Sequence, residues 1–200
     1  MESNVFKLSN AGGMSSRTRY WSMLAGNTTW VPFTPSGSFE SIATVTVGAG
    51  GSSTISFSSI PSTYQHLQVR FNGSITTSGG AMGIYFNSDS TSTNYYQHVV
   101  YGSGAGAAAA AANNYYGGPQ LDSTYSGGSA GIIDILDYAS VNKVKVHRNL
   151  SGYDANGSGY VMLRSGMWIG SSATAITGIT LVPPAGNFAQ YSVAALYGVK

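Results

Sequence analysis

His66-Leu67-Gln68-Val69-Arg70-Phe71 alternates polar and apolar residues without a break. A period of two marks a β-strand with one face in a core and the other in solvent. The alternation puts Leu67, Val69 and Phe71 inward and His66, Gln68 and Arg70 outward. Just upstream, 58–64 reads as a corner, where Pro61 ends pairing and Tyr64 closes the end of a sandwich with its ring while its hydroxyl stays wet. Further upstream, Phe39, Ala43, Val45 and Val47 share one face of a first strand, a Gly48-Ala49-Gly50-Gly51 turn follows, and Ile55 and Phe57 continue the pattern. Downstream, Met82, Ile84 and Phe86 form the next strand, 87–91 a polar turn, and 95–101 a further strand. Stretches at 132–136, 143–147, 160–169, 176–182 and 190–199 complete an all-β chain. The expected fold is a jelly-roll-like antiparallel β-sandwich over 39–200. An immunoglobulin-like or galactose-binding-like sandwich has the same periodicity.

Residues 1–38 break this pattern. Phe6, Leu8, Tyr20, Trp21, Leu24, Trp30 and Phe33 are scattered with no steady period, among the punctuation of Gly12-Gly13, Gly26-Asn27, Pro32 and Pro35. The segment is expected to be an extended arm with one short helical turn at 20–25, whose aromatics must be buried against something. Docking onto another protein makes these seven residues a partner-binding set; folding back over the chain's own sandwich is the alternative. The 102–131 stretch is low in complexity, with six consecutive alanines at 107–112. It is expected to be a long loop with at most one helical turn.

Composition narrows the function. Only 8% of residues are charged, while 42% are apolar and 12% aromatic, so the chain folds but presents a neutral, hydrogen-bonding surface suited to packing on other protein. Nine basic residues spread over the length leave no electrostatic footprint for nucleic acid. No apolar run reaches the roughly 20 residues of a membrane helix. The absence of cysteine removes disulfides and thiolate metal sites and fits synthesis in a reducing cytoplasm.

Catalytic signals are weak. Asp134 and Asp137 are three apart, on opposite faces of a strand, and read as structural or turn-capping groups. His66, His98 and His147 lie in different strands without metal-ligand spacing, so neither a metal nor another cofactor is expected. No nucleophile elbow surrounds any serine. Lys143, Lys145 and His147 are expected on the solvent face of a strand, with Val144 and Val146 opposite; an anion-binding patch is the weaker reading. Asn72-Gly73-Ser74 and Asn156-Gly157-Ser158 match glycosylation sequons but read as turns. Of the 14 tyrosines, Tyr95 and Tyr115, together with Trp168, are the candidate platforms for a ligand or interface, since such rings serve both sugar stacking and protein contacts.

The stretch at 57–70, from Phe57-Ser58-Ser59-Ile60-Pro61 through Tyr64-Gln65-His66-Leu67, followed by Phe86-Asn87-Ser88-Asp89 and Asn94-Tyr95, resembles a group of tailed-bacteriophage virion proteins. Those proteins tend to end in a Leu-Tyr-Gly-Ile-Lys-like signature, to which Leu196-Tyr197-Gly198-Val199-Lys200 is similar. Phe6-Lys7-Leu8, Ala11-Gly12-Gly13 and 22–27 resemble the leader of related phage proteins; the alanine run at 107–112 has no counterpart in that pattern. The resemblance covers 39–200 and implies a non-enzymatic structural protein of the virion, made in the host cytoplasm. A tail-fibre or tail-associated component anchored by its arm is the leading expectation, with a capsid decoration protein and a carbohydrate-binding, lectin-like module as alternatives. Expected partners are other virion proteins, further copies in a homo-oligomer with a trimer favoured, and a host surface glycan; nucleic acid and membrane insertion are not expected.

Overall fold

The alternating stretch at 66–71 lies on a strand, His66–Gly73, near one side of an eight-stranded antiparallel sheet. The structure is a computed structural model that describes residues 38–77, 79–113, 116–122, 128–154, 158–170 and 174–200, and, of the residues before these, the backbone of three strands. The chain comprises two units, Met1–Ser38 and Phe39–Lys200. In the first, β1 (Phe6–Lys7), β2 (Tyr20–Met23) and β3 (Trp30–Phe33) form a small antiparallel sheet in the order β1-β2-β3. The helical turn expected from residue 20 is therefore a strand: Tyr20 pairs with Phe33 and Met23 with Trp30, and cross-strand pairing outweighs local preference. Leu8 and Leu24 lie outside the described residues, as do the side chains of Phe6, Tyr20, Trp21, Trp30 and Phe33.

The second unit is a β-sandwich of unequal layers. It runs through β4 (Phe39–Thr46), β5 (Ile55–Phe57), β6 (His66–Gly73), β7 (Gly80–Ala81), β8 (Gly83–Phe86), one 3₁₀ turn at Ser92–Asn94, and β9 (Tyr95–Gly102). It continues through β10 (Ala107–Asn113), β11 (Gln120–Leu121), β12 (Ser129–Leu136), β13 (Lys145–Asp154), β14 (Gly159–Trp168), β15 (Ile179–Val182) and β16 (Val193–Val199). The large sheet has the order β10-β9-β14-β13-β12-β6-β16-β4, and the small layer the order β5-β15-β8. Ile55, Phe57, Ile84, Phe86, Ile179 and Leu181 of the small layer meet Leu67, Val69, Phe71, Ile133, Ile135, Ala194 and Leu196 of the large one in a single buried core. The expected faces of β6 and β8 hold: Leu67, Val69, Phe71, Met82, Ile84 and Phe86 are all buried. Tyr64 closes one end, its ring over Gly198, where a Cβ would overlap it, and its hydroxyl donating to Glu40 Oε2 at 3.1 Å.

Four further expectations change. Phe39 faces outward, because the β16 register passes from Leu196↔Ala43 to Tyr197↔Ser41 and leaves Ile42 as the extra residue of a β-bulge. One inserted residue reverses a period of two, so Ser41 and Phe39 move to the outer face while Ile42 and Ala43 both pack inward. The long loop at 102–131 contains two strands. Ser103-Gly104-Ala105-Gly106 turns tightly, with Gly104 at φ 78° and the Ser103 N–H on the Gly106 carbonyl at 3.0 Å, and the alanine run returns as β10 against β9. Lys145 and His147 are buried, whereas Val144 is 40% exposed, so β13 presents to the interior the face expected in solvent. Of the sequons, Asn72 and Gly73 lie on β6 instead of in a turn, and Asn156 lies outside the described residues.

Candidate assembly interface

The register brings one outward row together across the large sheet. Ala109 faces Val100, Val100 faces Leu163, Leu163 faces Leu150, Leu150 faces Ile132, and Ile132 faces Arg70. Five strands, β10, β9, β14, β13 and β12, thus place apolar side chains side by side on the face turned away from the core. Exposure runs from 42% at Ile132 to 60% at Val161, which lies in the adjacent row beside Gly102 and Gly152. Cross-strand apolar neighbours shield each other, yet about half of each of these side chains remains in water. The outer leucines, valines and isoleucine lie outside the buried core. A contiguous apolar patch of this kind on a sheet face is a candidate interaction surface.

The relief of the face comes from residue size. An open groove of about 570 Å³ is lined by Val100, Ala109, Ala111, Leu163, Ser165 and the side of Arg148, where short alanine and serine side chains lie between longer ones. At the β6 end Arg70 caps the row: its guanidinium lies 4.7 Å from the ring centroid of Tyr197 and 5.5 Å from that of Phe39, and its Nε donates to Gln68 Oε1 at 2.8 Å. Cation–π contact spreads this charge over two rings. The row beside the apolar one carries Arg148 opposite Asp134, so the charges of this face flank the apolar row instead of interrupting it.

The inner face beneath that row is polar. On β13, Lys145, His147, Asn149 and Ser151 point inward, beside Arg164 of β14 and Gln97 of β9, all buried. They meet a strap at 116–121 that passes between this half of the sheet and β7. The strap is held by Asn149 Nδ2 donating to the Gly117 carbonyl at 2.5 Å, by the Met82 N–H on the Pro119 carbonyl at 2.8 Å, and by Arg164 Nη2 donating to Gln120 Oε1 at 3.2 Å. Gly118 lies so close to Met82 that a Cβ would overlap the Met82 carbonyl. Backbone and amide groups brought against a sheet need partners: Asn149 of β13 donates to the Gly117 carbonyl, Ser151 of β13 accepts from the Gln120 N–H, and Arg164 of β14 donates to the Gln120 side chain. Lys145 likewise donates to the Ser140 and Lys143 carbonyls, and burial lowers its pKa. His147 is fully enclosed between Gly117, Gly166 and the edge of Phe86, 5.6 Å away. Burial brings its imidazole down to about 4 against a smaller upward pull from the Gly117 backbone, and neither ring nitrogen has a partner within ordinary hydrogen-bond geometry.

Tyr95 and Trp168 are core residues, not exposed platforms, because both rings pack on Phe86 under the small layer. The Tyr95 hydroxyl donates to the Asp89 carbonyl at 2.8 Å and accepts from the Phe86 N–H at 3.0 Å; Trp168 Nε1 donates to Asp89 Oδ2 at 2.7 Å. Burial raises the Asp89 pKa, but hydrogen bonds from Trp168, Asn94 and Thr91 together outweigh it and hold the carboxyl below its ordinary value. Tyr115 lies outside the described residues. The tyrosines that do cluster are Tyr101, Tyr160 and Tyr153, successive rings 5.8 Å apart at the far end of β9, β14 and β13; burial and Asp122 push Tyr153 up to about 12. No sequence pattern singled them out, since their neighbourhood depends on β14 pairing with both β9 and β13.

The remaining titratable groups stand apart. Asp134 accepts from Gln68 Nε2 at 2.8 Å, while Asp137 sits in the β12–β13 turn at φ 47°, 2.7 Å from Lys143 Nζ, whose hydrogen bond holds it below the carboxylate range. His66 and His98 project from the outer face on separate strands and His147 from the inner face. Among the described residues no group of three or more His, Asp or Glu is placed to hold a metal, and no helix is long and apolar enough to cross a membrane. Comparison with family models, with curated proteins and with solved structures finds no match for this chain.

Proposed function

We propose that this chain is a non-enzymatic structural protein of a tailed-bacteriophage particle, set on its exterior and associated with the tail, whose sandwich packs against neighbouring protein through the outer face of its large sheet. The observation that carries the reading is the in-register row Val100, Leu163, Leu150 and Ile132, apolar and half exposed on a weakly charged face. Burying such a face contributes about 25 cal/mol per Å² of apolar area, and a standard interface buries roughly 1,600 Å² in total. Cohesion of this kind is insensitive to salt, as a particle exposed to varied media requires. A trimer would gather three such faces about one axis. The sequence resemblance favours the tail over capsid decoration, and residues 1–38 are the proposed anchor.

The test is a Leu150→Asp, Leu163→Asp double variant of the full chain, compared with wild type by sedimentation and by recovery in purified particles. Both side chains are outside the core, so the variant keeps its fold, with a small drop in melting temperature from two carboxylates placed opposite one another, while losing self-association and incorporation. Undiminished assembly, or turnover of an ester or glycoside by the purified protein, would end the proposal.

A further inference from the structure

The large sheet ends in two edges that are built differently. β4 carries the bulge at Ile42 and, beside it, Glu40, which takes hydrogen bonds from Tyr64 and Lys200. A bulge and a charge on an edge are two standard means of preventing further pairing. β10 has neither. It pairs with β9 over seven consecutive residues without a register shift, and among the described residues no strand lies on its other side. It contains no proline, lysine or side chain longer than a methyl over 107–112, and those alanines are exposed on both faces up to Ala111. Its unpaired N–H and C=O groups are therefore open to another strand.

Local preference makes this edge more telling. Alanine is the best helix former and is depleted in strands, and six in succession gain nothing from packing here because their side chains stand in solvent. A segment held against its own propensity points to a use for the conformation it is held in. What would pair with it is also constrained. From residue 90 to residue 121 the chain holds no Asp, Glu, Lys or Arg, so a charged strand finds no complement there and a neutral one meets no repulsion. An antiparallel copy of 107–112 places alanine opposite alanine in every nearby register, with no bulky group to separate the backbones.

We infer that two copies of this chain join edge to edge, β10 against β10 and antiparallel, to form one continuous sheet. The two-fold axis then stands perpendicular to the sheet and keeps the outer faces on the same side. The apolar row that ends at Ala109 continues across the axis into the second copy, and the groove along Ala109 and Ala111 becomes the middle of a wider surface. This edge contact is separate from the face contact proposed above and does not depend on the virion assignment.

The chain has no cysteine, so one introduced thiol reports only its own contacts. Residues opposite one another in an antiparallel pair have Cα atoms about 4.5–5.5 Å apart, within disulfide range. Only the residue on the two-fold axis faces its own copy, so among full-length single-cysteine variants at each of Ala107 to Ala112 one is expected to give a covalent dimer on mild oxidation, read on a denaturing gel, while Thr44→Cys on the bulged edge stays monomeric. Ala109→Lys and Ala109→Glu are each expected to lose association, and mixing the two to restore it by placing opposite charges across the axis. The inference is overturned if none of the six positions cross-links better than Thr44→Cys, or if either charged variant associates alone as wild type does. The Leu150→Asp, Leu163→Asp pair placed in the background of the cysteine variant that cross-links separates the two contacts: loss of higher assembly with cross-linking retained supports the edge, whereas loss of the cross-link as well overturns its independence.

Discussion

His147 is the residue whose surroundings carry the clearest consequence. Its imidazole is enclosed and neutral, with a pKa lowered by burial to about 4, against an unfolded value near 6.5. The unfolded chain therefore takes up a proton first as pH falls. Stability is complete above about pH 6.5 and declines toward pH 4, by about 3 kcal/mol in all from this group. Urea midpoints measured over that range should fall with pH in the wild type and flatten in His147→Met, which fills a similar volume without titrating. Neighbouring Gly166 tests the same enclosure from the other side. A Cβ there would overlap the His147 ring, so Gly166→Ala should cost about 1–3 kcal/mol, a loss that thermal melting would register and that His147→Ala in the same chain should largely relieve.

At the scale of the element, the strap at 116–121 and the bulge of β4 decide what the strands around them show. Gly118 approaches backbone, not a movable side chain, and Gly118→Ala should displace the strap at a cost of about 3 kcal/mol or more. A matching loss of amide protection at Met82, whose N–H bonds Pro119, would distinguish displacement of the strap from general loosening. Deleting Ile42 would restore the period of two, turn Phe39 inward and move Glu40 away from Tyr64 and Lys200. The expected outcome is a lower denaturant midpoint together with exposure of the β4 edge to aggregation. Much of the element pattern was legible beforehand. β6 was readable because it alternates strictly between a core and a polar face, β8 because Met82, Ile84 and Phe86 recur at a spacing of two, and Tyr64 because a proline corner needs a cover. β10 was not, since alanine carries no signal of strand pairing and only the register with β9 holds it extended. The bulge was hidden too, because a single extra residue leaves composition unchanged while reversing every side chain beyond it.

At the scale of the whole molecule, weak charge and an apolar outer face imply cohesion that salt does not loosen. Sedimentation profiles at low and high ionic strength should coincide, whereas an interface held by ion pairs would dissociate as screening increased. Removing residues 1–38 should leave the melting of Phe39–Lys200 unchanged, since that unit has a complete core of its own, while abolishing recovery of the protein in particles. Unchanged recovery would mean that the anchor lies in the sandwich. The candidate interface itself was only half visible in the chain. Low charge predicts a protein-packing surface, but the aromatics favoured for it, Tyr95 and Trp168, are interior, and the row that faces outward is aliphatic.

By itself the sequence determined the class of the fold, the strands with one plainly apolar face, the boundary near residue 38 and the neutrality of the surface, because periodicity and composition are local properties. Only the tertiary structure decided which side of β13 is the inside. Lys145, His147 and Asn149 alternate with Val146 and Leu150, and a period of two says that the faces differ without saying what each will meet. The polar face turned inward where the strap and the 140–143 turn offer it partners, Asn149 donating to the Gly117 carbonyl, Ser151 accepting from the Gln120 N–H and Lys145 donating to the Ser140 and Lys143 carbonyls; Val146, Arg148 and Leu150 were left outside, where Leu150 aligns with four other strands through pairings between residues far apart in the chain.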